Sequence, residues 1–104
     1  MAGHPHIERW SLLMHGVIAD LMEAGDQTPL RKARENLERW RRQGSLSSAQ
    51  AEWLPILSWP TPRLIALLRA EEDENAVRLR SNSPFSGILA DRMRMELLRE
   101  ARAA

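Results

Sequence analysis

The chain has 104 residues, of which 43% are hydrophobic and none is cysteine, and its formal net charge is +1. This length suits one domain with a single core, and the lack of cysteine excludes disulfides and thiolate metal sites. No apolar run approaches the roughly 18 residues of a membrane span, and residues 1–6 lack the features of a signal peptide. We therefore expect a cytoplasmic protein with no membrane partner.

Helix-ending and helix-starting residues recur along the chain: Gly25 before Thr28-Pro29, Gly44 before Ser47, and then Thr61-Pro62. A glycine past a helix end, followed by a Ser or Thr cap and often a proline, is typical of neighbouring helices. The sequence predicts an all-α fold, a compact bundle of about five or six short helices. We expect one domain over residues 1–104, with a flexible N-terminus at 1–5.

The charge alternates in sign between segments. Residues 1–27 carry one Arg and four acidic residues, whereas 28–43 carry six basic and two acidic residues. Residues 44–75 carry two Arg and five acidic residues, and 76–104 carry six Arg and three acidic residues. A dedicated nucleic-acid binder usually has a surplus of one sign. The alternation favours helices that pack against one another or against another copy.

The first helix is predicted at about His6 to Ala24. One apolar stripe at helical spacing forms its core face, consisting of Ile7, Trp10, Met14, Val17, Ile18 and Leu21. Leu12, Leu13 and Met22 lie beside or beyond this stripe, so the apolar arc is wider than a surface helix needs. Either other helices of the chain cover both sides, or part of this helix contacts a partner.

The second helix is predicted at about Pro29 to Gln43. Its inward residues are Leu30, Ala33, Leu37 and Trp40. On its outer face, two glutamates each precede an arginine by four residues, which is the favourable order for helical ion pairs. These pairs are Glu35 with Arg39 and Glu38 with Arg42.

The third helix is predicted to begin at a capping box formed by Ser47 and Gln50. Pro55 removes a backbone donor, so this helix should kink or end early. Residues 59–62 (Trp-Pro-Thr-Pro) are predicted as an extended connector, and a fourth helix as beginning at Pro62.

The acidic run 71–74 suits the start of a fifth helix, because carboxylates complement the helix dipole there. The sequence leaves open whether the fourth and fifth helices are continuous. Residues 81–87 form the clearest loop, with Phe85 predicted to anchor it to the core. A last helix from about Asp91 to Ala101 places Met93, Leu97 and Ala101 on one stripe, with Met95 and Leu98 alongside.

The residue types needed for catalysis or metal binding do not form a recognisable set. His4 and His6 lie near the N-terminus and His15 more than two turns away, so no metal site is predicted. The best acid–base arrangement places His15 near Glu8 or Ser11, which helical spacing alone produces often. We predict a partly exposed, non-catalytic His15, no enzymatic activity and no cofactor.

Nucleic-acid binding is the alternative function. The helices on either side of Gly44 superficially match a helix-turn-helix, but the arginines lie on the first of them. That helix offers a group of basic side chains for phosphate contacts without sequence preference, namely Arg31, Lys32, Arg34, Arg41 and Arg42.

The preferred function is a non-enzymatic protein–protein interaction module. A regulatory subunit, a neutralising subunit (antitoxin-like or an anti-phage accessory) and an adaptor all fit this class, and composition suggests a bacterial source. The partner is expected to be another protein or a second copy of the chain. Candidate contact residues are those that lie off the core stripes and belong to types enriched at interfaces: Leu12, Met22, Trp59, Met95 and Leu98.

Overall fold

The computed structural model describes residues 5–89 and 91–103, except for the side chains of residues 5–7, 91, 92, 94 and 98. Across these ranges the backbone forms six α-helices and no strand, which confirms the predicted all-α class. The helices are α1 (Pro5–Glu23), α2 (Thr28–Gln43), α3 (Ser48–Ile56), α4 (Thr61–Arg69), α5 (Glu74–Arg80) and α6 (Asp91–Ala103). Pro5 is already helical, so it does not belong to a flexible N-terminus, and residues 1–4 lie outside the described ranges.

Helix α1 is the central element of the bundle, because it contacts α2, α4, α5 and α6. One hydrophobic core joins residues from all six helices. Its largest fully buried side chains include Trp53 and Phe85, whose rings meet edge to face with centroids 5.8 Å apart. Phe85 therefore anchors the loop between α5 and α6, as the sequence predicts.

Two helix starts carry side-chain caps, of which the one formed by Ser47 and Gln50 was predicted. The Ser47 hydroxyl accepts from the Gln50 amide at 3.1 Å, and the Gln50 side chain accepts from the Ser47 amide at 2.9 Å. At α5, the Asp73 carboxylate accepts from the amides of Asn75 and Ala76. Because Asp73 caps α5 and residues 70–73 are not helical, α4 and α5 are separate helices.

At two predicted helix boundaries, the start and the end of α2, the structure differs from the prediction. Thr28 is the first residue of α2 and not its cap; the Asp26 carboxylate accepts from the Thr28 amide at 2.9 Å. This bond lowers the pKa of Asp26 below its usual range. Gly44 has a φ of 170°, which is extended backbone and not the expected positive φ, whereas Gly25 does adopt a φ of 94°.

Helix α3 ends one residue after Pro55, as expected from the missing donor. The connector that follows is shorter than predicted, because Thr61 is already helical; Pro60 has an extended conformation, with φ −55° and ψ 141°.

The buried faces of α1 and α6 differ from the predicted stripes. On α1, the buried residues are Met14, His15, Ile18, Ala19 and Met22, so the core face is rotated toward His15 and Met22. On α6, Leu97 and Ala101 are buried, but Met93 is 41% exposed. The ion pairs on α2 also differ, because Glu35 pairs with Arg31 and Glu38 with Arg41. None of the described helices is both long and apolar enough to cross a membrane.

Candidate functional site

The two predicted partner contacts on α1, Leu12 and Met22, differ in how far the fold buries them. Met22 is only 5% exposed, although it lines a surface cavity beside α4. Leu12 is half-buried and lines a surface cleft beside α5. Of the two residues, Leu12 is the more accessible to a partner.

Trp59 also differs from the exposed anchor predicted from its position between helices. It packs against the core, and the Arg63 guanidinium lies 3.8 Å from the centroid of its ring. This cation–π contact covers part of the remaining indole surface. Trp59 thus contributes mainly to the junction between α3 and α4.

The exposed large apolar side chains among the described residues are Leu54 on α3 and Met93 and Met95 on α6, and of these only Met95 is a predicted contact residue. Met95 is 58% exposed and Leu54, on α3, is 43% exposed. The side chain of Leu98 lies outside the described residues. Single exposed apolar residues are normal on protein surfaces, so neither Met95 nor Leu54 defines a site alone.

The basic group on α2 is partly used within the protein. Arg31 and Arg41 pair with glutamates on the same helix, and Arg34 donates to the Leu57 carbonyl at 3.1 Å. Lys32 and Arg42 are exposed, with no partner among the described residues. Of the five predicted phosphate-binding residues, Lys32 and Arg42 are therefore the two without a bond to another described residue.

His15 is fully buried, contrary to the partly exposed residue that the sequence predicts. Its Nδ1 donates to the Ser11 carbonyl at 2.7 Å, so Nε2 is the acceptor and receives the Ser83 hydroxyl hydrogen at 2.7 Å. The Ser83 oxygen accepts in turn from the Phe85 amide at 3.0 Å. The pKa of His15 is lowered to about 4, mainly by burial; the hydrogen bond to the Ser11 carbonyl opposes this shift, and the charge of Arg80 adds to it.

This arrangement has the connectivity of a Ser–His dyad but not its accessibility. Ser83 is 3% exposed and His15 0% exposed, and the Ser83 oxygen already donates and accepts one hydrogen bond each. A histidine with such a low pKa is also a weak base compared with those used near neutral pH. The geometry supports a structural role: Ser83 fixes the loop after α5 onto α1.

A cleft of about 440 Å³ lies beside this network, between α1, α5 and the segments that flank α5. Its apolar lining consists of Trp10, Leu12, Met14 and Val77. Its volume falls within the range of ligand-binding pockets, which combine an apolar surface with a few convergent polar groups.

Arg80 is the polar group at the base of the cleft. Only 5% of the surface of this residue is exposed, and it lines the cleft. Nη1 donates to the Leu67 carbonyl at 3.1 Å, which is its only acceptor among the described residues. Burial lowers the pKa of Arg80 more than the nearby charges of Asp73 and Glu71 raise it.

The rim of the cleft carries both signs of charge. Glu8, Glu71 and Glu72 supply three carboxylates and Arg9 one guanidinium, and all four residues are exposed. Together with Arg80, these residues give the lining a small net negative charge. The cleft therefore combines one buried cation with an acidic rim.

The sequence contained signals for two features that its interpretation missed. Arg80 follows Ala76 by four residues, so it lies on the inward stripe of α5. His15 precedes Ala19 by four residues and Ile18 by three, which places it on the buried face of α1. We predicted a partly exposed His15 and assigned no role to Arg80. Helical position was the better guide.

No three His, Asp or Glu side chains within the described part of the chain come together as a potential metal site. The side chains of His4 and His6 lie outside that part. Comparisons with protein-family models, with curated proteins and with solved structures give no match for this chain.

Proposed function

We propose that this protein is a non-enzymatic interaction module that binds a segment of a partner protein in the cleft between α1 and α5. A regulatory, a neutralising and an adaptor subunit would each use such a surface.

The cleft around Arg80 is the observation that carries the proposal. An arginine that is 95% buried and has one carbonyl acceptor has unused N–H donors, because a guanidinium has five. Every side-chain nitrogen or oxygen that is fully buried in the described residues has a partner, so the unpartnered nitrogens of Arg80 retain some accessible surface. A ligand in the cleft could supply their acceptors.

The apolar lining adds a second reason. Trp10 and Leu12 lie two residues apart on α1, and both are half-buried and line the cleft. Aromatic and arginine residues are enriched among the residues that dominate binding energy at interfaces. Trp10 with Arg80 supplies both types within one concave surface.

Site-specific photo-crosslinking tests the proposal. A benzophenone amino acid replaces Leu12 in one variant and Leu54, which is exposed and outside the cleft, in a control. Both variants are irradiated in lysate of the source organism with and without nuclease. We expect a single protein adduct from position 12 alone, unaffected by nuclease. Equal adducts at both positions, or none at position 12, would count against the cleft.

Nucleic-acid binding through α2 remains the alternative, supported by the exposed Lys32 and Arg42. It predicts a strong dependence of affinity on salt, because phosphate contacts release counterions. Fluorescence anisotropy with labelled duplex DNA, single-stranded DNA and RNA at low salt tests it. Binding that is lost in a Lys32→Glu, Arg42→Glu double variant would favour this alternative over the cleft.

A further inference from the structure

We infer that the partner segment presents a single carboxylate to Arg80, next to an apolar side chain and flanked by basic residues. This inference rests on the proposed binding of a protein segment in the cleft and specifies its chemistry. The juxtaposition that supports it is one buried guanidinium surrounded by an exposed rim of three carboxylates.

The buried guanidinium selects the acceptor. A carboxylate accepts two parallel N–H bonds from an arginine, and such charge-assisted bonds are stronger than neutral ones. Arg80 lies in a partly desolvated position and Asp73 and Glu71 act on it only through their charges, since neither forms a salt bridge with it. Arg80 therefore has no bidentate acceptor among the described residues, and a ligand carboxylate could supply one.

The acidic rim selects against more strongly charged anions. Glu8, Glu71 and Glu72 outnumber Arg9 around the opening, so a phosphate with nearly two negative charges meets more repulsion than a carboxylate does. The same rim favours Lys or Arg beside the bound carboxylate, because opposite charges across an interface provide specificity. Polyanions such as nucleic acids fit this rim poorly.

The apolar lining of the cleft favours an apolar side chain next to the carboxylate of the ligand. Leu12 and Val77 are half-buried and line the cleft, so a leucine-sized group from the ligand would remove further apolar surface from water. Each such group contributes favourably in proportion to the area it buries.

Short synthetic peptides test this chemistry by ¹H–¹⁵N correlation spectra of the folded protein, including the Arg80 Nε–H signal. The probe is acetyl-Lys-Leu-Asp-Lys-amide, compared with its Asn analogue, its phosphoserine analogue and a version with Glu in place of both Lys. A fifth peptide, acetyl-Lys-Lys-Leu with a free carboxylate, is compared with its amide and distinguishes a chain-terminal carboxylate from a side-chain one.

We expect a carboxylate peptide to change the chemical shifts of residues 8–12, Val77 and Arg80 Nε. The matched amide should bind with an affinity at least about tenfold weaker. Equal binding of Asp and Asn peptides in the cleft would overturn the carboxylate assignment but leave the proposed function standing. Tighter binding of the phosphoserine peptide would also overturn it. No shifts in the cleft at millimolar peptide would overturn the inference, while the crosslinking result would decide the proposed function separately.

Charge reversal on the rim provides the matched variants. Glu72→Lys should weaken binding of the Lys-flanked peptide and strengthen binding of the Glu-flanked one. Glu74→Lys, in the same acidic run but outside the cleft lining, should change neither affinity. Arg80→Lys keeps the charge but loses the planar fork and should weaken every carboxylate peptide. Arg80 also donates to the Leu67 carbonyl, so Arg80→Lys could fail to fold. In that case the Glu72 and Glu74 variants test the inference. Identical peptide affinities in those two variants would contradict it.

Discussion

The Ser83 hydroxyl donates a 2.7 Å hydrogen bond to Nε2 of His15, which lies 68 residues earlier in the chain. Both side chains are buried, and the edge of the Phe85 ring contacts the same imidazole with centroids 6.2 Å apart. This pair connects the middle of α1 to the loop after α5. It thereby fixes one wall of the cleft that contains Arg80.

Ser83→Ala should lower the free energy of unfolding by about 1–3 kcal/mol, because it leaves the buried Nε2 of His15 without a donor. Urea denaturation at pH 7 measures this change. Ser48→Ala is the matched control, since Ser48 is exposed and its hydroxyl has no bond among the described contacts. A loss in Ser83→Ala no larger than in the control would show that the His15 bond contributes nothing.

The stability of the protein should fall as the pH is lowered from 6.5 toward 4. The pKa of His15 is lowered from 6.5 to about 4 in the folded state, so the unfolded chain binds more protons in this interval and protonation favours unfolding. Between pH 7 and pH 5 the loss attributable to His15 is about 2 kcal/mol. Denaturation midpoints measured across this range provide the check.

His15→Gln is the control for that pH dependence, because a glutamine amide does not titrate and its oxygen can accept from Ser83. Its stability should change much less between pH 7 and pH 5 than that of the wild type. Below this range both proteins should lose stability as Asp26 and Glu52 are protonated, since hydrogen bonds to Thr28 and Arg78 lower the pKa values of these two carboxyls. Parallel pH profiles of the two proteins would refute the role of His15.

Trp53→Ala should cost about 3–5 kcal/mol, the range for removing a buried aromatic side chain. Trp53 is 0% exposed, and its Nε1 donates to the Leu79 carbonyl at 2.9 Å. Trp40→Ala should cost clearly less, because Trp40 is only partly buried at the edge of the core. Thermal or urea unfolding of both variants tests the order, and a greater cost at Trp40 would mean that α2 is placed wrongly.

Ser83 should not react with a fluorophosphonate probe under native conditions. Its hydroxyl is buried and already bonded to His15 and to the Phe85 amide, so no substrate-sized group reaches it. Intact-mass measurement after probe treatment gives the answer. A covalent adduct at Ser83 that is absent in Ser83→Ala would contradict the non-enzymatic proposal.

The helices were largely predictable from sequence because local rules determine them. The capping box of Ser47 and Gln50, the early end after Pro55 and the burial of Phe85 all follow from short-range chemistry or from the position of one large apolar residue. The ends of α2 were less predictable, since Asp26 replaces Thr28 as the side-chain acceptor and either residue type suits that role.

The candidate site was not predictable in the same way, because it depends on contacts between distant segments. Helical spacing places Arg80 and His15 on inward faces, but the sequence does not show that Ser83 meets His15 or that the Leu67 carbonyl accepts from Arg80. Met22 lay on the predicted flank of α1, but the packing of four helices around α1 places it in the core.

The most direct test of the cleft is hydrogen–deuterium exchange of the complex captured by crosslinking, compared with the free protein. We expect slower exchange at residues 8–12, 71–72 and 77–81, with little change along α2. Protection confined to α2 or to α6, with the cleft exchanging as in the free protein, would show that the partner does not bind in the cleft.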